Sequence, residues 1–494
     1  MKKHTQSPYE SSKVSYKPSG IEWLGEIPKH WEICKLNKIS YFINGYAFES
    51  SHFDYSFSIP VIRIGDIQND KIIYHTCLMT KEQENLKNFM IYRGDIVIAL
   101  SGATTGKFAV CNSNKKAYIN QRVAIIRSDI KILKYYLSTF GFVNYIDMLC
   151  NGSAQPNIST KEVGNFKIPL PPLQEQKEIA EFLDSKCEKI QNYIDKKQKL
   201  ITLLQEKKQA LINEAVCGRV ACHTADSHCH TEPLGEVSNP TCHTERSEVS
   251  HNTESKRDFS HSLKMTKEKQ LSMTTAYKPS GIEYLGLIPH HWEAVKVKFT
   301  AYVKGRIGFH GLNSNEFRYD EGAYLVTGND FDNNEVMWDK CRRVSEERFY
   351  EDPNIHLQNN DLLITKDGTI GKTAIVNNCP KQATLNSGIF LVRTMKKMCF
   401  VKYLFFIINS QYFKEFVNVK TSGSTIKHLY QSDFHDLKIP LPPLQEQKQI
   451  ANFLDEKCEK INSAIEKTKR QIELIKEYKN TLINEAVCGR IRVN

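Results

Sequence analysis

The feature that most constrains this chain is a long internal repeat. The eleven residues KIPLPPLQEQK stand at 167–177 and recur without a change at 438–448. Two further segments return in the same order, 16–32 as 277–293 and 211–219 as 482–490. Repetition at so long a period indicates two copies of one structural unit, so the chain should contain the same architecture twice.

Each Pro-rich stretch leads into a charged segment with an apolar seam. Pro171 and Pro172 favour extended backbone before them and suit the first turn of a helix after them. Spacings of four and three then select ten positions in each copy, eight of them apolar: Leu183, Cys187, Ile190, Ile194, Lys197, Ile201, Leu204, Lys208, Leu211 and Ala215, then Leu454, Cys458, Ile461, Ile465, Thr468, Ile472, Ile475, Lys479, Leu482 and Ala486. This pattern predicts a heptad helix in each copy, with Gly218 and Gly489 as helix stops.

A seam this narrow needs a partner, and the economical partner for one copy is the other copy. A helix over 173–215 would be about 65 Å long at a rise of 1.5 Å per residue. We expect the second helix to return antiparallel, with one globular region at each end and the termini close together. Each helix carries eight basic and eight acidic residues, so we expect a solvated spacer and docking surface.

Between the repeated segments lie two regions of divergent sequence, 37–160 and 299–430, with a mixed α/β pattern. Apolar runs bounded by turn residues predict strands at 60–67, 94–100, 120–128, 323–328, 361–365 and 387–393. Longer apolar patterns predict helix at 129–149 and 398–417. The regions are only slightly basic, and the net charge of +11 does not by itself identify a polyanionic partner.

The two divergent regions share a skeleton. The matched residues are Asp95 with Asp361, Gly102 with Gly368, Gly106 with Gly371, Lys107 with Lys372, Asn120 with Asn386, Arg127 with Arg393, Gly152 with Gly423 and Ser153 with Ser424. Around these points the loops differ, as in SAQPNIS against STIKHLY. One scaffold with two sets of loops is the pattern expected of two binding domains that recognise different targets.

These motifs together resemble the specificity subunit of a type I restriction–modification system. The resemblance rests on SGIEWLGEIPKHWE at 19–32, GATTGK at 102–107, GSAQPNIS at 152–159, and PLPPLQEQ at 169–176 with its heptad helix. It extends over nearly the whole chain except 221–270. It implies an α/β (α+β) fold of two similar target-recognition domains, separated by an antiparallel pair of long coiled-coil helices with pseudo-twofold repetition.

The resemblance also implies a function. Each target-recognition domain would bind one half of a bipartite site on double-stranded DNA, and half-sites about one duplex turn apart, roughly 34–36 Å, suit two heads on a spacer. Two methyltransferase subunits would dock on the helical regions, and restriction subunits would add to that core. This chain would be non-catalytic and carry no cofactor, whereas S-adenosylmethionine, ATP and Mg²⁺ would be bound by the partner subunits.

The repeat and the resemblance together give a set of domain boundaries. In chain order we expect an N-terminal tail at 1–15, a first target-recognition domain with its entry segment at 16–168, a spacer helix at 169–220, a low-complexity linker at 221–272, a second recognition domain at 273–439 and a second spacer helix at 440–494.

Polar and basic side chains near the divergent loops are the candidate DNA contacts. Amides can read adenine and lysine can read guanine, whereas other lysines and arginines hold phosphates. The candidates are Arg63, Thr104, Thr105, Lys107, Arg122, Ser153, Gln155, Asn157, Lys366, Thr369, Lys372, Ser387, Ser424, Lys427 and His428. Loop capping by the same amides and solvation of the same lysines are open alternatives. No residue is predicted to be catalytic or to bind a metal.

Two other functions fit parts of the sequence. SGATTGK and KDGTIGKT resemble a phosphate-binding loop, which would suit a stand-alone nucleotide-hydrolysing enzyme, but Ser101 and Lys366 replace its leading glycine. LPPL lacks the polar residue and the aromatic of the adenine-methyltransferase loop. A coiled-coil adaptor that binds only protein is the third hypothesis.

The remaining features concern the linker and the cellular compartment. Cys222, His228, Cys229, His230, Cys242 and His243 form a Cys/His cluster. Their spacing fits no familiar zinc site, so a disordered linker is favoured. The start of the chain has no apolar run like that of a signal peptide, and YLFFII is too short to span a bilayer. We therefore expect a cytoplasmic protein with free thiols.

Overall fold

The computed structural model describes residues 15–68, 70–151, 156–219, 276–283, 285–306, 312, 314–421 and 427–491. These residues fall into two compact units. Unit 1 comprises the described residues of 1–202 and 465–494, and unit 2 comprises those of 203–464. The predicted linker at 221–272 and its Cys/His cluster lie outside the described residues.

Unit 1 contains the first copy of the repeated architecture. Its strands are β1 (Tyr16–Pro18), β2 (Glu26–Pro28), β3 (Glu32–Lys35), β4 (Tyr41–Asn44), β5 (Ile59–Ile62), β6 (Ile67–Gln68), β7 (Lys71–Ile72), β8 (Leu78–Thr80), β9 (Ile96–Ala99), β10 (Phe108–Val110), β11 (Tyr118–Ile119), β12 (Val123–Arg127) and β13 (Lys167–Leu170). Its helices are α1 (Leu133–Leu137), α2 (Phe140–Cys150), α3 (Thr160–Gly164) and the first part of α4 (Leu173–Val216).

Unit 2 repeats this order. Its strands are β14 (Tyr277–Pro279), β15 (Leu287–Pro289), β16 (Glu293–Lys296), β17 (Ala301–Gly305), β18 (Ala323–Val326), β19 (Phe331–Asp332), β20 (Glu335–Val336), β21 (Arg342–Val344), β22 (Leu362–Thr365), β23 (Thr373–Ile375), β24 (Ala383–Leu385), β25 (Ile389–Thr394) and β26 (Lys438–Leu441). Its helices are α5 (Glu346–Tyr350), α6 (Val401–Ile408), α7 (Gln411–Lys420), α8 (Gln431–Asp436) and the first part of α9 (Leu444–Val487).

The central sheet of each unit is buried on both faces. In unit 1 the order is β10-β9-β12-β4, and in unit 2 β17-β25-β22-β23-β20-β19. Ile96 and Ile98 point into the core that holds α1 and α2, whereas Val97 and Ala99 point into the opposite core. Successive side chains of a strand alternate between faces, so a continuous apolar run is what such a sheet requires.

A three-stranded sheet lies beside each central sheet. Its order is β11-β5-β8 in unit 1 and β21-β18-β24 in unit 2, with one parallel and one antiparallel pairing in each. The predicted strand 60–67 is too long, because β5 in this second sheet ends at Ile62. There the Asp66 carboxylate accepts the Arg63 amide at 2.9 Å and closes a turn.

The predicted helices at 129–149 and 398–417 are each two helices. The break in unit 1 falls at Thr139, whose hydroxyl oxygen accepts the Phe142 amide at 3.3 Å. In unit 2 Ser410 accepts the Phe413 amide at 3.5 Å in the same way. Hydroxyl side chains that bond the backbone compete with a continuous helix and favour a new N-terminus.

The long helices α4 and α9 confirm the heptad prediction. All twenty predicted seam positions are buried or half-buried. In unit 1 Leu183 of α4 shares a core with Ala486 of α9, and Cys187 lies near Lys479, so the two segments run antiparallel. In unit 2 the Lys208 ammonium donates to the Asn462 amide oxygen at 2.9 Å.

Each helix end is held by an entry segment within the same unit. In unit 1 the Tyr16 hydroxyl donates to the carbonyl of Gly489 at 3.0 Å. In unit 2 Tyr277 donates to the carbonyl of Gly218 at 2.9 Å. Both glycines have φ near +70°, as the stop of a helix requires. The first and last described segments of the chain are therefore in contact within unit 1, as the expected closeness of the termini requires.

The identical Pro-rich stretches have identical packing. Glu175 accepts the Trp31 indole N–H at 2.8 Å, and Glu446 accepts that of Trp292 at 3.0 Å. Both tryptophans are fully buried, so each indole needs this acceptor. Strands β13 and β26 pair with β3 and β16 in the same register. The duplication is therefore a requirement of packing in each unit.

The described residues show no disulfide. The free cysteines are Cys34, Cys77, Cys111, Cys150, Cys187, Cys217, Cys341, Cys379, Cys399, Cys458 and Cys488. Burial raises the pKa of the Cys399 thiol to about 12. Among the helices of the described ranges, none combines the length and the apolar character that crossing a membrane demands.

Candidate nucleic-acid interface

Three segments of unit 1 meet at one end of the inner strands of its central sheet, where β9 ends and β12 begins. They are the turn after β9, the turn between β11 and β12, and the segment before α3. The Gly102 amide donates to the carbonyl of Pro156, and the Ile158 amide donates to that of Leu100, both at 2.9 Å. We call residues 101–105, 121–122 and 156–157 the first rim.

The first rim surrounds an open cleft of about 850 Å³. Its lining residues are Ser101, Gly102, Ala103, Gln121, Arg122, Pro156 and Asn157. The Ser101 hydroxyl is buried and has no hydrogen-bond partner in the described part of the chain. Arg122 and Asn157 are exposed, so the cleft offers hydrogen-bonding groups of both kinds together with a positive charge.

The two threonines predicted as DNA contacts hold the turn of the first rim. The Thr105 hydroxyl donates to the carbonyls of Gly102 at 2.7 Å and Pro156 at 3.3 Å. The Thr104 hydroxyl donates to the carbonyl of Ile64 at 3.5 Å. These hydroxyls already have acceptors, so their first role is to fix the backbone of the turn.

The basic residues predicted for unit 1 differ in whether their side chains are already hydrogen-bonded within the protein. Arg63 binds the Asp66 carboxylate through Nε at 3.2 Å and the carbonyl of Thr76 through Nη2 at 2.8 Å. Lys107 is exposed, and its ammonium has no partner among the residues that the structure describes. Lys107 is therefore the freer of the two cations. Ser153 and Gln155 lie outside the described residues.

Unit 2 brings the corresponding segments together. The Lys366 amide donates to the carbonyl of Gly388 at 2.9 Å, and the Leu429 amide donates to that of Lys366 at 3.0 Å. Asp367 forms a β-bridge and a side-chain hydrogen bond with His428. We call residues 366–369, 387–388 and 427–428 the second rim.

The basic side chains near the second rim are partly occupied. The Lys372 ammonium donates to the carbonyl of Gly328 at 2.9 Å and lies 5.7 Å from the centre of the Phe331 ring. The Lys366 ammonium lies 5.3 Å from the centre of the Phe390 ring.

The other predicted residues of unit 2 differ in exposure. Thr369 and Lys427 are exposed, and Ser387 is half-buried. The carbonyl of Thr369 accepts the Thr365 hydroxyl, so its backbone helps to close the turn. Ser424 lies outside the described residues.

The central sheet next to each rim contains an equivalent ion pair. The Arg127 guanidinium makes two bonds to the Asp95 carboxylate, at 2.7 and 2.8 Å, and Arg393 makes two to Asp361 at the same distances. Hydrogen bonding to the carboxylate raises the pKa of both arginines. The aspartates are almost fully buried, so this pair fixes how β9 and β12, or β22 and β25, lie together.

The Gly-Lys turn is not a phosphate-binding loop. Residues 102–107 connect β9 to β10, and these strands pair antiparallel. Residues 366–372 connect β22 to β23 in the same way. A phosphate-binding loop needs a helix N-terminus directly after the turn, and a strand follows here instead.

Metal-ligating groups do not gather in the described part of the chain. No set of three or more His, Cys, Asp or Glu side chains within those ranges could hold an ion. The Cys/His cluster predicted to be linker lies beyond them.

Three rim residues with polar side chains were not predicted from the sequence. Ser101 and Gln121 line the first cleft, and Asp367 pairs with His428 in the second rim. Gln121 stands next to the predicted Arg122, but both residues fell inside the predicted strand 120–128, whereas β12 begins only at Val123. Ser101 and Asp367 occupy equivalent bridge positions, and no sequence pattern reveals that pairing.

Comparison with known proteins identifies the family. The model of the type I restriction modification DNA specificity domain matches residues 28–204 and 311–474. The chain belongs to this family. The two matches fall in the two copies of the repeat, as the shared skeleton predicts. The chain is thus a DNA specificity subunit, the non-catalytic component of a type I restriction–modification system.

Relatives match over almost the full length. The specificity subunit assigned to the type I restriction enzyme MjaX of Methanocaldococcus jannaschii is 24% identical over 95% of this chain and 96% of its own. The EcoBI specificity subunit of Escherichia coli is 20% identical over 95% and 88%.

A solved structure shares the fold. A chain from work on complex assembly and conformational transition of the type I R-M system aligns with a TM-score of 0.63 at 15% identity, over 94% of this chain and 99% of that chain. This similarity confirms the predicted mixed helix and strand fold with its internal repeat.

Proposed function

We propose that this specificity subunit recognises a bipartite site on double-stranded DNA, with one half read at each rim. The observation that carries the proposal is that both rims are built from the same three segments and share two backbone hydrogen bonds at equivalent positions, yet expose different side chains. A shared frame with different contact groups is what two distinct half-sites require.

Ten of the predicted contact residues divide into two groups on this basis. Side chains that are exposed and unpaired in the described structure are suited to DNA: Lys107, Arg122, Asn157, Thr369 and Lys427. Side chains already bonded within the protein shape the rim: Arg63, Thr104, Thr105, Lys372 and His428. Lysines in the first group would hold phosphates, and amide or guanidinium groups would contact bases.

The domains of the chain would divide recognition from assembly. We assign target recognition to 16–168 and 273–439 with their entry segments, and we assign the spacing of these domains and the assembly of the complex to 169–220 and 440–494. Two methyltransferase subunits would dock on the helical regions, and restriction subunits would join that core. S-adenosylmethionine, ATP and Mg²⁺ would serve the partner subunits, and the complex would act on DNA in the cytoplasm.

A methylome tests the bipartite target. The chain is expressed with methyltransferase subunits from the same genome in a host that lacks other methylation, and modified positions are read by sequencing. We expect one motif split by an unspecified spacer. A continuous motif would contradict the proposal.

An exchange of one domain sharpens the same test. Replacing 37–160 with the corresponding region of another specificity subunit should change one half of the motif and leave the other half intact. A change in both halves would show that the two units do not read independently.

Two measurements address the competing functions. ATP hydrolysis by the purified chain should be absent, and Lys372→Ala should not alter that baseline. DNA binding by the chain with its methyltransferase partners should weaken steeply as salt rises, because phosphate contacts release counterions. A coiled-coil adaptor that binds only protein would show no such slope.

A further inference from the structure

We propose that Arg122 is a specificity-determining residue that reads a guanine in the half-site of unit 1. The inference rests on the proposed function and goes beyond it by naming one base and one side chain. It follows from where the backbone holds this arginine, from what surrounds its side chain, and from the absence of any side chain at the equivalent position of unit 2.

The backbone at Arg122 is fixed by the sheets on either side. The Leu100 amide donates to the carbonyl of Arg122 at 2.9 Å. The Asn120 amide donates to the carbonyl of Ile62, and the Val123 amide to that of Asn120, at 2.9 and 2.8 Å. A residue anchored on rigid strands presents its side chain at low entropic cost, which favours a specific contact.

The Arg122 side chain itself is uncommitted. It is exposed, and its guanidinium has no bond to any residue in the described part of the chain. Among the residues that the structure describes, no carboxylate lines the cleft beside it. This contrasts with Arg127 a few residues later, which is fully engaged by Asp95. A guanidinium left free beside an open cleft is available to an external acceptor.

The neighbours of Arg122 favour a base over a phosphate as that acceptor. Gln121 and Asn157 place amide groups on the same cleft, and the buried Ser101 hydroxyl lacks a partner there. Phosphate binding needs only donors and charge, whereas amides and hydroxyls can both donate and accept, as base edges do. Among base edges, the two acceptors O6 and N7 of guanine match the fork of an arginine.

Unit 2 lacks the side chain needed for this contact. Gly388 occupies the position of Arg122, because the Lys366 amide donates to the carbonyl of Gly388 just as the Leu100 amide does to that of Arg122. The second rim instead carries the Asp367–His428 pair. The guanine contact should therefore belong to one half-site only.

The test uses the chain in complex with its methyltransferase subunits. A duplex library built on the wild-type motif places all four base pairs at each position in turn, and the methylated fraction is measured for each. Arg122→Ala should relax one G·C position in one half by about tenfold to a hundredfold, with the other half unchanged. Because Arg122 is exposed, the variant should fold, which its circular dichroism and complex assembly would verify.

Lys107→Ala is the matched control, since it removes an exposed cation near the same rim. It should lower methylation of all sequences together. If Arg122→Ala behaves like Lys107→Ala, leaves every position unchanged, or relaxes a position that is not G·C, the guanine assignment is overturned while a split motif still supports the proposed function. A continuous wild-type motif would instead overturn the proposed function, and this inference with it.

Discussion

The two units keep some residues and change others, and the difference separates what builds the frame from what meets a partner. Asp95 with Arg127 and Asp361 with Arg393 have matching distances in both units. Arg122, by contrast, is replaced at the second rim by a glycine. Buried charged groups must keep their partners, whereas exposed rim groups carry no such constraint.

The largest expected effect comes from removing one carboxylate of the Asp–Arg pair that joins the strands of each central sheet. Asp95→Ala leaves the Arg127 guanidinium without its partner and removes the acceptor of the Tyr92 amide. Breaking a buried pair costs about 3–5 kcal/mol, and Arg127 is a third exposed, so we expect the lower end, about 3 kcal/mol. Urea unfolding followed by tryptophan fluorescence measures the free energy of unfolding.

The matched change in unit 2 is Asp361→Ala, which should cost a similar amount. Asp95→Asn is the control, because an amide oxygen can still accept the Tyr92 N–H and should preserve part of the stability. A much smaller loss in one unit than in the other would show that the frames are not equivalent.

Two glycines in unit 1, Gly489 and Gly20, share a left-handed backbone but differ in how closely other residues surround them. A Cβ on Gly489 would lie 2.7 Å from the Pro28 ring, whereas one on Gly20 would meet nothing within 4 Å. Gly489→Ala should cost about 2–4 kcal/mol from backbone strain and overpacking together, and Gly20→Ala about 1 kcal/mol.

The same urea titrations measure both glycine variants. Gly218→Ala and Gly281→Ala repeat the pair in unit 2, where only the former meets a proline ring. Equal losses at Gly489 and Gly20 would mean that the entry segment does not pack on the end of the helix.

A third, smaller effect is expected at the tryptophan acceptor. Glu175→Ala removes the oxygen that accepts the Trp31 indole N–H and leaves a buried donor unpaired. The expected cost is about 1–3 kcal/mol, and Glu175→Gln should recover most of it, because an amide oxygen can accept the same bond. Thermal unfolding of both variants measures the difference, and no loss in the alanine variant would contradict the role given to this repeated glutamate.

The long helices and their ends could be predicted from the sequence, because the same residue patterns occur in both copies. The seam from Leu183 to Ala215 and the stops at Gly218 and Gly489 are local patterns that burial and backbone geometry impose twice. The break at Thr139 was missed because a capping hydroxyl competes with the helix only when the following turn has packed against the core.

The rim was harder to predict, because its residues are far apart in sequence. Arg122 and Asn157 line one cleft only after three segments have come together. Whether a lysine is free depends on carbonyls far away in sequence. The carbonyl of Gly328 accepts from the Lys372 ammonium, whereas no acceptor within the described ranges reaches Lys107. All of the DNA contacts predicted from the sequence remain predictions, and Ser153, Gln155 and Ser424 also lie outside the described structure.

The smallest expected effect compares these two lysines. Lys107→Ala removes an exposed ammonium that has no partner in the described part of the protein, so the free energy of unfolding should change by less than about 0.5 kcal/mol. If Lys107 contacts one phosphate, the slope of log K against log salt should fall by about 0.9. Lys372→Ala should lower the slope less, because the carbonyl of Gly328 already binds its ammonium.

Salt titrations of DNA binding, with the methyltransferase partners present, measure both slopes, and urea unfolding measures both stabilities. Lys372→Ala should cost a few tenths of a kcal/mol more stability than Lys107→Ala, because only the former breaks an internal bond. Equal slopes would mean that DNA binding releases Lys372 from Gly328, and the two rims would then hold phosphates alike despite their different resting contacts.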